Sequence, residues 1–216
     1  RRPPRSTLFP YTTLFRSYYS FDHKGWHFVV LDSVFRIETD KGPSQVPRIG
    51  GEQLEWLGYD LGANKGKPTV AMTHVAAFCN MGQINGDAEA KAMTGMVVDD
   101  NKALRIVLER HGVKALLQGH SHVTEDFFYN GVWYLTSPAV GAAWWAGSWL
   151  GCDPGYTVFH CEGDRLRWER VAFPWEPRLE PEDTLERKRI QEYNDFKKEQ
   201  EELRKKEEQG SAAKAG

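Results

Sequence analysis

Cysteine is scarce in this chain of 216 residues: Cys79, Cys152 and Cys161 are an odd, widely spaced set with no Cys-x-x-Cys pair. Neither a disulfide framework nor a thiolate zinc site is indicated, and a pairing of Cys79 or Cys152 across a loop stays open only if the parent protein is exported. No run of about 20 apolar residues occurs, so nothing reads as a membrane span. Excess charge of one sign is also lacking. With 28 Lys and Arg against 30 Asp and Glu, the formal net charge is -2, which argues against a nucleic-acid surface dominated by basic residues. What is present is 40% hydrophobic and 12% aromatic residues, enough for a real core in one or two domains.

The pattern alternates strands and helices. Residues 18–22 and 26–32 read as two strands around a turn at His23, Lys24 and Gly25, with Phe28 and Val30 in a largely buried run. The polar, proline-containing stretch 33–50 reads as a loop. A helix follows over 51–61, with Leu54, Leu57 and Leu61 on one face and Gly62 and Asn64 closing it. Strand, loop and helix then repeat: 68–73, the long segment 75–98, and a helix from about Asp99 to His111 with Leu104, Val107 and Leu108 inward. Asp99 or Asp100 suits its N-cap and Gly112 its stop. A strand over 113–118 comes next. Asn130-Gly131 between residues 125–129 and 132–136 is the strongest hairpin signal in the chain, and 156–162 and 165–173 form a second pair around Gly163-Asp164. Crossovers followed by hairpins imply an α/β sandwich rather than a helical bundle.

Chemistry concentrates in two segments that each follow an apolar strand: Thr73-His74, and Gly119-His120-Ser121-His122. In an extended chain residues i and i+2 project to one side, so His120 and His122 offer their imidazoles to one place with Cα atoms roughly 6.5 Å apart. That suits two ions about 3.5–4 Å from each other. Gly119 is expected to turn the chain sharply off the strand. Neutral imidazoles favour zinc, iron, manganese, nickel or copper over magnesium or calcium. His23, His27, His111 and His160 have no such setting: His27 and His160 read as strand residues, and His111 as a helix cap.

A single His after a strand followed by Gly-His-x-His resembles the last two motifs of the calcineurin-like metallophosphoesterases. Residues 18–32, the helix 51–61 and residues 130–147 also look like this family's second half, so the resemblance covers about 18–173. It implies a four-layer αββα sandwich, two sheets face to face with helices outside, and hydrolysis of phosphate mono- or diesters by a two-metal-activated hydroxide. By the same resemblance His74 and His120 bind one divalent transition metal (Mn, Fe or Zn), His122 the other, and an Asp is shared between them. The family's earlier motifs, Asp-x-His, Gly-Asp and Gly-Asn-His-Asp/Glu, do not occur here in order; Gly86-Asp87 and Gly163-Asp164 read as turns.

The opening residues bear on that gap. Arg1 to Ser17 translate, codon for codon, a string that looks like a common sequencing-library adapter. Residues 1–17 are therefore expected to be artefactual, 18–177 to be the C-terminal part of a metallophosphoesterase domain whose N-terminal part is missing, and the chain to be inactive and prone to aggregate. The alternative is a non-catalytic metal-binding, structural or binding module of the same fold. Compartment, metals and oligomeric state stay open.

Among the glycines of residues 139–153, Trp144, Trp145 and Trp149 form either a substrate wall, stacking a base or sugar of a small-molecule or nucleotide-type phosphoester, or a packed loop. Asn80, with Gln83 and Asn85, is a weaker candidate for substrate contact. Residues 178–216 are dense in Glu, Lys and Arg with few apolar positions. They read as a solvated helix or disordered tail supported by charge pairs three and four apart, and no chemistry is assigned to them.

Overall fold

The computed structural model describes residues 17–84, 95–173, 175–178 and 180–214. The adapter-like residues 1–16, together with Asn85 and Gly86-Asp87, lie outside these. The described residues fall into two compact units: those of 17–121, Glu125–Thr136 and Phe159–Trp168 in the first, and those of His122–Thr124, Ser137–Val158 and 169–214 in the second.

The first unit is built on a six-stranded sheet. Strands β1 (Tyr19–His23) and β2 (Trp26–Val30) form an antiparallel hairpin. Its turn places Lys24 and Gly25 at φ 48° and 85°, the double positive φ that a two-residue hairpin of the right twist requires. Next to β2 run β5 (Thr69–Val75), β6 (Ala115–Gly119) and β8 (Val132–Thr136), all parallel, with β7 (Glu125–Tyr129) antiparallel at the far edge. The fold is thus mixed α/β with a mostly parallel central sheet.

Each parallel step moves in the same direction across the sheet, so right-handed crossovers put their helices on one face. Helices α1 (Gly51–Ala63) and α3 (Asn101–Arg110) accordingly touch each other. Their Leu57, Leu61, Leu104 and Leu108 close over Val29, Ala71, Leu116 and Tyr134, one cross-strand row of the sheet, and all of these are buried. Burial of each such leucine contributes about 1.5–3 kcal/mol.

The opposite face carries the row Phe21, Phe28, Val70, Ala115, Trp133 and Phe128. Only its small central members, Val70 and Ala115, are fully buried; Phe21, Phe28 and Trp133 are half-buried and Phe128 is exposed. Trp168, from the hairpin β9 (Gly155–Glu162) and β10 (Arg165–Ala172), sets its ring 5.1 Å from Trp133 and donates to the Asp126 carboxylate.

Three local expectations are corrected. Residues 33–50 are not a plain loop but contain an antiparallel pair, β3 (Val34–Thr39) with β4 (Gly42–Pro47), whose prolines sit at the strand pair's margins and defeat a breaker-based reading. Asp100 stands at the N-cap of α3 without capping it. Its carboxylate instead accepts the Ile49 and Gly50 amides at 3.0 and 2.8 Å, fixing the start of α1. In β2 the fully buried residues are Trp26, His27 and Val29, whereas Phe28 and Val30 lie on the half-buried face. The three cysteines are free thiols, so no bridge joins Cys79 to Cys152.

In the second unit, residues 137–154 form an irregular, tryptophan-bearing loop, and helix α4 (Thr184–Lys214) spans the charged C-terminal segment.

Candidate functional site

The carboxyl ends of β5 and β6 bring two of the three proposed ligands together. In β5 the register against β6 slips between Met72 and Val75, a bulge that re-aims the intervening side chains, as bulges beside binding sites do. His74 sits in it. His120 follows the last residue of β6, and its Nδ1 lies 3.0 Å from Nε2 of His74, the rings nearly perpendicular. Adjacent parallel strands of an open α/β sheet deliver ligand-binding groups at this end.

Gly119 does not make the expected turn. It pairs with Val75 inside the sheet and its φ is not positive. The reversal falls on the histidines themselves, with His120 at φ 75° and His122 at φ 58°. Two non-glycine residues held left-handed within three positions cost about 1–3 kcal/mol each. Such strain persists only where surrounding structure enforces it, and it gathers at functional sites.

Three buried polar side chains that sequence reasoning passed over hold the chain after His74. Ser33 Oγ accepts the Val75 amide at 2.9 Å. Gln118 accepts the Ala77 amide and donates to the Phe78 carbonyl and to Thr136. Glu125 accepts the Asn80 amide at 2.5 Å. Each satisfies backbone that an irregular, buried segment would otherwise leave unpaired. Their sequence signal is slight: a Gln at the end of an apolar strand and a Glu opening another. Burial pushes the Glu125 carboxyl up, more than the hydrogen bonds from the Asn80 amide and the Cys79 thiol pull it down; its Oε2 is buried with no hydrogen-bond partner among the described residues. Burial likewise raises Cys79, which therefore rests as a thiol.

The third ligand candidate, His122, belongs to the second unit. Its Nδ1 donates to the Ala142 carbonyl at 2.5 Å, which fixes the Nδ1–H tautomer and leaves Nε2 as the basic nitrogen, the arrangement metal-binding imidazoles use. Its ring lies 4.8 Å from that of Trp144, which meets Trp149 edge-on at 5.3 Å. Trp145 contacts Trp175 instead. Trp144 and Trp145 are exposed, while Trp149 keeps a buried Nε1 with no hydrogen-bond partner among the described residues. Ala142, Trp144 and Trp145 all have positive φ. Asn80 is exposed just before the short helix α2 (Met81–Ile84), which carries Gln83.

The spacing of the His74 and His120 nitrogens is compatible with two ligands of a single ion. Imidazole nitrogens on a single ion, each at about 2.0–2.1 Å, stand roughly 3.0–3.4 Å apart, and the His74–His120 spacing of 3.0 Å falls in that range. Two ligands do not complete a metal centre, and among the described residues no group of three or more His, Cys, Asp or Glu is placed to hold a metal.

His27 is the other histidine that matters, and its setting was not foreseen. Nδ1 meets Asp22 and Nε2 meets Asp60, both at 2.8 Å, with the ring 2% exposed. Burial lowers its affinity for a proton, but the two carboxylates outweigh that and its pKa is raised. Lys67, 2.6 Å from Asp22, and then His27 hold the Asp22 carboxyl below its usual range.

No family model and no curated protein matches this chain. Among solved structures, a purple acid phosphatase from yellow lupin (Lupinus luteus) seeds aligns over 55% of this chain at 16% identity and a TM-score of 0.37. The chain spans 22% of that protein's length. A Vps29 double mutant from Entamoeba histolytica aligns over 68% of this chain and 99% of its own, at 15% identity and a TM-score of 0.23. Wild-type Vps29 from the same organism, complexed with zinc, covers 67% and 97% at 14% identity and a TM-score of 0.23. At these identities and scores none of the likenesses decides the activity of this chain.

Proposed function

We propose that this chain carries the histidine-bearing part of a metal-dependent phosphoesterase of the calcineurin-like kind, with His74 and His120 as ligands of one divalent transition metal and His122 as a ligand of a second. The observation that carries the reading is the meeting of two imidazole nitrogens at 3.0 Å on the carboxyl ends of neighbouring parallel strands. Strained backbone at His120 and His122 and the fixed tautomer of His122 support it. A bound metal would polarise a phosphoester and acidify water; the chain's own contribution is to orient the imidazoles through Ser33, Gln118, Glu125 and Ala142. Trp144 and Trp149 would flank a small-molecule or nucleotide-type phosphoester.

The four-layer αββα arrangement belongs to the same proposal. The half-buried row Phe21, Phe28 and Trp133 is the face that a second sheet would cover. On this reading the upstream motifs and the shared Asp come from sequence that this chain does not carry, and the polypeptide alone turns over little substrate.

Calorimetric titration of the full chain with Zn2+ or Mn2+ tests the ligand set. His74→Ala and His120→Ala are each expected to weaken binding at least about tenfold; unchanged affinity in both sinks the assignment. A second reading, a non-catalytic binding module of the same fold, is favoured by the lack of a third convergent ligand among the described residues. Turnover of an aryl phosphodiester by the purified chain would exclude it.

A further inference from the structure

The charged C-terminal helix is not simply solvated. Arg189 of α4 lays its guanidinium 4.0 Å from the centre of the Trp144 ring, with Glu186 3.6 Å away, and the Arg189 side chain is only 19% exposed. Around it the same unit makes further contacts with the tryptophan loop. Trp175 packs 5.2 Å from Trp145 and donates its Nε1 hydrogen to the Trp145 carbonyl. Pro177 closes on Gly147 and Phe196 on Gly151, each within 3.8 Å of where a side chain would begin.

The stack is continuous. Arg189 covers Trp144, and Trp144 lies against His122. Two positions before Trp144, the Ala142 carbonyl takes the His122 Nδ1 proton. Ala142, Trp144 and Trp145 all hold left-handed backbone, which relaxes unless something outside the loop fixes it. A guanidinium on the face of an indole is a strong form of that contact, because the planar cation matches both the ring's shape and its negative face.

We propose that Arg189 is a positioning residue: by stacking on Trp144 it holds the Ala142–Trp145 backbone in place and thereby keeps His122 in the Nδ1–H tautomer, with Nε2 presented as a metal-binding nitrogen. The C-terminal helix is then a working part of the site. The use of Nε2 rests on the proposed metal chemistry; the control of the tautomer does not.

The test reads the two separately in the full chain labelled with 15N. Long-range proton–nitrogen correlation of the His122 ring reports its tautomer directly, and addition of Zn2+ reports whether Nε2 binds metal. In Arg189→Ala the Nδ1–H form is expected to give way to the Nε2–H form that free imidazole prefers, and Trp144→Leu to do the same, with no further change when both are combined. Arg189→Lys, which keeps the charge and loses the flat stack, should fall between. Circular dichroism confirms that each variant is folded; should Arg189→Ala fail to fold, Trp144→Leu carries the test from the other side of the stack. A folded variant of either kind with the His122 tautomer unchanged overturns the proposal. A tautomer that shifts as expected while Zn2+ leaves Nε2 untouched would preserve the positioning role and sink the metal reading alone.

Discussion

Two histidine clusters occupy opposite ends of the same sheet, and they are built on opposite principles. At the amino ends of the parallel strands, His27 is buried between Asp22 and Asp60, each ring nitrogen spent on a carboxylate and the charge extended to Lys67. At the carboxyl ends, His74 and His120 are partly exposed, face each other, and sit on a bulge and a left-handed residue. The first arrangement satisfies every polar atom and leaves no chemistry available. The second is costly for the backbone, because a left-handed residue such as His120 carries about 1–3 kcal/mol of strain.

Removing His27 should produce the largest effect. His27→Ala leaves Asp60 buried and uncompensated, and loss of one partner of a buried ion pair costs about 3–5 kcal/mol. A shift in the denaturant midpoint of that size, with the Zn2+ affinity of the folded protein unchanged, is the expected outcome. Equal stability would erase the contrast between the two clusters.

His120→Gly should behave in the reverse manner. Glycine accepts a positive φ without strain, so stability is expected to hold or rise by about 1 kcal/mol while metal binding is lost. Loss of both together would make His120 a structural residue like His27.

The pH dependence sharpens the same comparison. Because the His27 pKa is raised above its ordinary value of 6.5, its ion pairs contribute fully below that pH and the contribution is lost as pH rises through the folded value. Asp22 runs the other way: its contribution is present above its ordinary value of 3.8 and is lost as pH falls through the depressed one. Unfolding measured against pH should therefore show a stability decline on the alkaline side of 6.5 that His27→Gln removes.

The smallest effect is expected at Glu125, which serves the second cluster by holding the Asn80 amide. Its raised carboxyl pKa means that its contribution is fully present below the ordinary value of 4.5 and is lost as pH rises through the folded value. Glu125→Gln keeps an acceptor for Asn80 without a buried charge, so at neutral pH it should be more stable than the natural chain by about 1 kcal/mol. Destabilisation instead would mean that the buried Oε2 has a partner that the amide cannot replace.

Periodicity and turn chemistry made most of the fold legible. The Asn130-Gly131 hairpin and the inward leucines of α1 and α3 follow from local rules, because a period of 3.6 or 2 and a double positive φ are properties of short segments. The β3–β4 pair was hidden because its polar residues and prolines carry no alternation, and its pairing is supplied by the partner strand. At the candidate site, the spacing argument for His120 and His122 assumed an extended chain, and the backbone instead turns left-handed at both residues.

What the sequence by itself determined is the alternation of strand and helix, the burial of one sheet face, and a set of histidines at strand ends. Only the tertiary structure decided which histidines meet. His27 found Asp60 across 33 residues, His74 found His120 across 46, and Arg189 of the charged tail found Trp144 in the preceding loop. Local sequence sets backbone preference through sterics and periodicity, whereas partners of that separation are chosen by crossover handedness, sheet register and the requirement that buried polar groups be paired.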